Sequence, residues 1–394
     1  MRCTFCFLAS LLLACSGSLP APDAGGDAAV ADSTPTVDTA QPPDTGGGDV
    51  APPADGPVAD AGQAITAPEK TWTWVPFPGA RCADNSPTGI GVNIIKASSK
   101  LLIYLKGGGA CWDHDTCNKK PILSVDLDGF DKKKFAALKW HKNGVFDRAS
   151  KTNPLASWSH VFVPYCTGDF HGGVQYSKVT GKHHVGHLNV AKYLARLRAT
   201  FPKVTQVLLA GSSAGGFGTL MNYHQVQAAF AGVPVDLLDD SGPMLDEAYL
   251  KPKLQGQMYS AWGLAKSMPP GCAKCKTGHL DDLVAYLAGA HPKRRFGLIS
   301  SREDAVIRAY FAHGYTPKKL IMPAADFRKG LDHLADTVMA PHKNWSVYYT
   351  NASWHVYVAG ATLAVTSVGG TKLRDWISDM VTGKAGWTSV RPKL

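Results

Sequence analysis

Short apolar runs alternate with helical stretches along most of this chain, and that alternation admits few folds. The runs at 101–105, 161–163, 204–210, 235–238, 296–299 and 346–349 are rich in Leu, Val and Ile. They carry no polar face, so each reads as a strand buried on both sides. Between them, Val190, Leu194 and Leu197 fall on one helical face, and so do Leu220, Tyr223, Val226 and Phe230. Strands alternating with helices imply an α/β class: a mostly parallel central sheet with helices on both faces. Residues 251–292, which hold a Cys pair, several Pro and Gly, and Trp262, read as a small cap or insertion.

The N-terminus does not share this pattern. In residues 1–15 a single Arg2 precedes a short apolar run that ends in Ala14-Cys15. That is the form of a secretory signal, too short to be a permanent span. Leu12-Leu13-Ala14-Cys15 also has the form of a lipobox, which makes Cys15 the expected lipidated residue. An exported protein is expected, on the cell envelope or outer surface as a lipoprotein or else secreted. Its only membrane contact would be that anchor. Residues 16–70 are Ala, Pro, Asp, Gly and Thr with almost no large apolar side chain. Such a stretch buries too little to offset its ordering entropy, so it reads as a disordered tether. The folded domain is expected at 71–394.

Charge divides at the same boundary. The chain has 41 Lys+Arg against 31 Asp+Glu, but residues 71–394 hold 39 of those bases and 22 of those acids, an excess of +17. A basic extracellular domain suits a polyanionic neighbour such as an acidic polysaccharide. No basic run interleaved with aromatics is present, which argues against nucleic acid. Beyond the signal segment and Cys15, six cysteines remain. An even number in an exported chain implies three disulfides, with fifteen formal connectivities. Proximity pairs Cys111 with Cys117 and Cys272 with Cys275, and elimination pairs Cys82 with Cys166. A zinc site at Cys272, Cys275 and His279 lacks a second ligand cluster, so no metal is expected.

The chemistry centres on Gly211-Ser212-Ser213-Ala214-Gly215, placed between the run ending at Ala210 and a helical stretch opening at Gly216. A serine nucleophile needs a sharp strand-to-helix turn flanked by small residues, and this segment supplies one, with Ser213 at its apex. Acyl transfer also needs hydrogen-bond donors for a developing oxyanion. In α/β-hydrolases one is the amide after the nucleophile, here Ala214, and others come from a Gly-rich loop after an earlier strand. Gly108 and Gly109, in Lys106-Gly107-Gly108-Gly109-Ala110-Cys111-Trp112, fit that role. The acid and base should follow in the order Ser, acid, His. Asp304 lies just past the run 296–299 and His355 just past 346–349, both at strand C-terminal ends, where sites form in parallel sheets. Asp239, Asp240 and Glu303 are rival acids. Trp112, Asp169 and His171 are candidate substrate contacts.

Taken as a set, these segments resemble the pectin acetylesterases and the related Notum-type carboxylesterases over about residues 72–390. The resemblance rests on Cys82-Ala83-Asp84-Asn85-Ser86-Pro87, on the loop from Leu105 to Cys111, on Pro164-Tyr165-Cys166, on the segment from Ala210 to Gly216, and on Asp240-Ser241-Gly242. It implies an α/β-hydrolase fold, the triad Ser213, Asp304 and His355, and oxyanion donors at Gly108, Gly109 and Ala214. One departure stands out. The family's aromatic beside the oxyanion loop is replaced by Gly109-Ala110, with Trp112 displaced past Cys111. A cofactor-free, monomeric serine esterase removing acetyl groups from an acidic polysaccharide such as pectin is expected. The alternatives are a lipase-like or polypeptide O-deacylating esterase, and an envelope- or carbohydrate-binding lipoprotein without turnover.

Overall fold

A computed structural model describes residues 62–119, 124–138 and 143–393. The signal segment, Cys15 and most of the expected tether lie outside them. In chain order the strands up to residue 350 are β1 (Thr73–Arg81), β2 (Pro87–Asn93), β3 (Lys100–Leu105), β4 (Ser159–Val163), β5 (Gln175–Ser177), β6 (Lys182–His184), β7 (Gln206–Ser212), β8 (Val235–Asp240), β9 (Phe296–Ser301) and β10 (Trp345–Thr350). Eight of them form one sheet in the order β1-β2-β4-β3-β7-β8-β9-β10, while β5 and β6 pair as a separate hairpin. From β4 to β10 every neighbouring pair is parallel, and only β2 runs against the rest. This is the α/β-hydrolase arrangement expected from the sequence.

Helices cover both faces, and the strands show why. Along β3, Leu101, Ile103 and Leu105 join one buried cluster, while Leu102 and Tyr104 join another. Along β7, Val207 and Leu209 face the first cluster and Leu208 and Ala210 the second. Successive side chains point to opposite faces of a strand, so unbroken apolar runs are what a sheet covered on both sides demands. Two short helices, α1 (His114–Asn118) and α2 (Lys132–Ala137), precede α3 (Gly186–Thr200) and α4 (Ala214–Ala229), and the first face packs on α3 and α4 through Val190, Leu194, Leu197, Leu220, Tyr223 and Val226. The second receives Trp376, Ile377 and Met380 of the helix Leu373–Val381. Among the described residues no helix is long and apolar enough to cross a membrane.

Three features of the fold go beyond the sequence expectation. The packed body begins before residue 71: Ile65 is buried, and its amide donates to Thr200 Oγ1 at 2.8 Å. Arg196 Nε donates to the Gln63 carbonyl, and the Lys70 amide to that of Ile94. One apolar residue in a polar stretch is too weak a compositional signal to mark this seam. Secondly, β1 and β2 escaped the sequence reading because Pro and Gly interrupt their apolar pattern and β1 is half-exposed. Thirdly, residues 251–292 are not a separate layer. Leu254, Met258 and Trp262 of the helix Pro252–Trp262, with Leu283 and Val284 of the helix Asp282–Ala290, join the same cluster as α4. The disulfides are Cys82–Cys166, Cys111–Cys117 and Cys272–Cys275, the pairs expected by proximity and elimination. The bridge at 272–275 removes the thiolates that a zinc site would need.

Candidate active site

β7 ends at Ser212, and Ser213 follows with φ 59° and ψ −123°, a strained backbone for a residue with a side chain. The surroundings hold it there. Its amide donates to the Asp240 carbonyl at 2.7 Å, and its carbonyl accepts from Phe217 at 3.2 Å. The glycines beside it are steric requirements: a methyl on Gly215 would sit 2.0 Å from the Leu105 carbonyl oxygen. α4 starts at Ala214, two residues earlier than the sequence suggests, so its N-terminal amides begin directly beside the serine.

Asp304 and His355 meet as expected. Asp304 is fully buried and caps the helix Ala305–Phe311, with Oδ1 accepting from the amides of Val306 and Ile307 at 2.9 and 3.0 Å. Its Oδ2 lies 2.7 Å from His355 Nδ1. The helix terminus thus fixes the carboxylate, and the carboxylate fixes the imidazole with Nδ1–H donating, leaving Nε2 as the proton acceptor. His355 remains partly open to solvent.

The rival acids have other work. Asp240 is buried and bonds to neither imidazole nitrogen of His355. Its Oδ2 accepts from Ser212 Oγ at 2.6 Å and from the amides of Tyr357 and Val358 at 2.9 and 3.0 Å. Ser241 Oγ accepts from the Val356 amide at 3.3 Å. Asp240 and Ser241 together therefore suspend the segment just after His355. Burial pushes the Asp240 carboxyl above the usual carboxylate range, against the pull of its donors. Asp239 accepts from the Gly242 amide at 2.7 Å inside the same turn. Glu303 pairs with Arg328 at the surface. Asp240, with its partner Ser212, which itself accepts from Tyr104 Oη at 2.9 Å, is the feature that sequence reasoning underused. Its position at the end of β8, beside the nucleophile strand, was the available signal.

The Gly-rich loop lies against the nucleophile: a methyl on Gly107 would fall 2.8 Å from Ser213 Cβ. Three carbonyls of this loop are anchored. That of Lys106 meets His171 Nε2 at 2.8 Å, that of Gly107 meets Lys106 Nζ at 2.8 Å, and that of Gly108 meets the Asp126 amide at 2.8 Å. In a trans peptide the N–H points opposite to the C=O, so these anchors turn the amides of Gly107, Gly108 and Gly109 the other way. The amides of Gly108, Gly109 and Ala214 have no acceptor among the described residues. Donors left free beside a strained serine are what an oxyanion requires.

At Gly109 the φ is +77°, and a methyl there would come within 2.3 Å of Tyr310 Oη and 2.0 Å of the Ser124 carbonyl oxygen. Tyr310 and residue 124 thus fill the space next to the position where the family pattern carries an aromatic.

The three candidate substrate contacts are all buried. Asp169 is buried, and its oxygens accept from Thr167 Oγ1 and from the amides of Gly173 and Gly186. His171 is buried and acts on the loop through the Lys106 carbonyl; burial pushes its pKa down to about 4, so the ring is neutral with the proton on Nε2. Trp112 is buried against His313. Two groups of metal-ligand type occur among the described residues. Cys111, Cys117 and His184 include a disulfide, while His279, Asp281 and Asp282 lie at or near the surface, and no catalytic group belongs to either.

The model of the pectinacetylesterase family matches residues 72–278, more than half of the chain. The chain belongs to the pectinacetylesterase family. Among curated relatives, the palmitoleoyl-protein carboxylesterase NOTUM of Schmidtea mediterranea is 30% identical over 159 residues, covering 38% of this chain and 30% of the relative. Notum1 of Xenopus laevis, likewise named a palmitoleoyl-protein carboxylesterase, is 30% identical over 175 residues, covering 42% and 35%. NOTUM of Homo sapiens is 27% identical over 179 residues, covering 42% and 34%. The chain thus spans about a third of the length of these relatives. The pectinacetylesterase match contains Gly108, Gly109, Ser213, Ala214 and Asp240 but ends before Asp304 and His355, whose assignment rests on their geometry.

Proposed function

We propose that this protein is a serine carboxylesterase working through an acyl-enzyme. The observation that carries this reading is the hydrogen-bonded Asp304–His355 pair, together with a strained Ser213 and the free amides of Gly108, Gly109 and Ala214. Ser213 Oγ attacks the ester carbonyl carbon and gives its proton to His355 Nε2. The carbonyl oxygen takes the negative charge and accepts from the three amides. Collapse breaks the bond to the alcohol oxygen, which leaves with the proton from His355. Water then repeats the sequence on the acyl-Ser213 ester and releases the carboxylic acid. Asp304 holds the imidazole and balances the imidazolium without taking the proton. Loss of one oxyanion donor in such a site costs on the order of a hundredfold or more in kcat.

The substrate class we propose is an acetylated acidic polysaccharide such as pectin. Membership of the pectinacetylesterase family and the +17 excess on residues 71–394 support it. Three disulfides suit an oxidising, exported location. Acetate release from acetylated pectin, compared with acetylated neutral xylan, tests the substrate. A second reading, removal of a longer acyl group from a polypeptide, is favoured by the names of the curated relatives. A panel of p-nitrophenyl esters of rising chain length separates the two. A maximum at acetate supports the polysaccharide, and a maximum at long chains supports the polypeptide.

A further inference from the structure

We propose that Lys106 and Asp126 are positioning residues that hold the oxyanion loop in its donor conformation, an inference that rests on the esterase reading. Residues 107–109 are three consecutive glycines. Such a run has more conformational freedom than any other sequence, and no side chain of its own stops a peptide from flipping. The Gly107–Gly108 and Gly108–Gly109 peptides must nevertheless present their amides to one point. What fixes them lies on the carbonyl side. Lys106 Nζ donates to the Gly107 carbonyl at 2.8 Å, and the Asp126 amide donates to the Gly108 carbonyl at 2.8 Å. The two anchors are joined, because Lys106 Nζ also pairs with Asp126 Oδ2 at 2.5 Å. Asp126 is in turn placed by its own segment, whose Ser124 carbonyl accepts from Tyr310 Oη at 2.5 Å. Tyr310 belongs to the helix that Asp304 caps. The loop is thereby tied to the element that carries the acid.

The charge adds to the geometry. An ammonium on the Gly107 carbonyl polarises that peptide and strengthens the Gly108 N–H as a donor. Lys106 is mostly covered and Asp126 is about half covered, so the pair is weakly screened on one side and reachable by solvent on the other. His171 anchors the preceding peptide, so the loop is held at every carbonyl from Lys106 to Gly108.

The test uses the full chain carrying K106M, K106R or D126N. K106M keeps most of the apolar stem and removes the donor; K106R restores a donor and charge; D126N keeps the backbone amide and breaks the ion pair. Each is assayed on p-nitrophenyl acetate, and inhibition is measured with a trifluoromethyl ketone, whose serine adduct places an oxyanion in the same hole. K106M is expected to lower kcat roughly tenfold to a hundredfold, less than outright loss of a donor, with KM within about twofold. Ketone binding should weaken by the same factor. K106R should recover most of both, and D126N should show a smaller loss of the same kind. The proposal is overturned by wild-type kcat in K106M, by a kcat loss with unchanged ketone affinity, or by K106R as impaired as K106M. If K106M does not fold, D126N and K106R decide on the same two readouts. A wild-type protein that hydrolyses no ester would instead sink the esterase reading.

Discussion

The main-chain carbonyl of Asp240 accepts the amide of Ser213 at 2.7 Å, so the nucleophile hangs on the same residue whose carboxylate holds Tyr357 and Val358. One aspartate thus sets the spacing between the serine turn and the segment just after His355. Among the described residues, Asp304 alone bonds the imidazole.

The two aspartates should therefore fail differently. Asp304→Asn is expected to lower kcat on the order of a thousandfold or more by stabilising the wrong imidazole tautomer, with the fold intact. Asp240→Asn turns an amide donor toward backbone donors and leaves at least one buried group unpaired, at a cost of about 1–3 kcal/mol. Its Tm should drop by several degrees, with a smaller loss of kcat. Thermal melting and p-nitrophenyl acetate kinetics on both variants check this. A stable Asp240→Asn with the larger kcat loss would make Asp240 the acid.

Acid should destabilise the fold. Burial pushes the pKa of His171 and His187 down to about 4, and that of His160 to about 3. In the unfolded chain these rings titrate near 6.5, so between about 6.5 and 4 the unfolded state binds more protons than the native state. Stability is then complete above about pH 6.5 and falls as pH drops, by about 1.4 kcal/mol per pH unit for each such proton. Denaturant melts at pH 7.5, 6 and 5 measure the slope. Stability unchanged across that range would mean that these rings take up protons as readily in the native state as in the unfolded chain.

The disulfides should contribute unequally. Cys82–Cys166 joins residues 84 apart, Cys111–Cys117 residues 6 apart and Cys272–Cys275 residues 3 apart. In the chain-entropy model the first stabilises by about 4–5 kcal/mol and the last by about 1.6 kcal/mol. Double Cys→Ser variants, compared by urea denaturation, should rank in that order. An equal cost for the long and shortest loops would contradict the entropic reading.

What the sequence revealed depended on how local each signal was. The inner strands of the sheet were legible because burial on both faces makes them unbroken apolar runs, as in Leu101–Leu105. β1 and β2 were not, since Pro76, Pro78, Gly89 and Gly91 break their pattern. Ser213, Asp304 and His355 were legible because each follows a readable strand at one edge of a parallel sheet. The bracing bonds of Asp169 and His171 were not legible, because a polar residue next to a site looks the same in sequence whatever it bonds to. The roles of Lys106, Asp126 and Tyr310 were hidden, since residues 124 and 310 meet only in the folded chain.

A polyanionic substrate should feel the basic surface. Salt shortens the Debye length from about 10 Å at 0.1 M to about 3 Å at 1 M. KM for acetylated pectin is therefore expected to rise steeply with salt, while KM for p-nitrophenyl acetate stays nearly flat and kcat changes little for either. Equal salt responses for pectin and for acetylated xylan would mean that the charge serves another purpose.

Covalent labelling decides whether Ser213 is an activated nucleophile. The wild-type chain is treated with a fluorophosphonate, digested and mapped by mass spectrometry, beside Ser213→Ala, Asp304→Asn and His355→Ala. The expected result is one adduct on the peptide carrying Ser213, none in Ser213→Ala, and labelling slowed by orders of magnitude in the other two variants, with ester hydrolysis lost in parallel. An adduct on a different serine, or ester hydrolysis by Ser213→Ala at the wild-type rate, would contradict it.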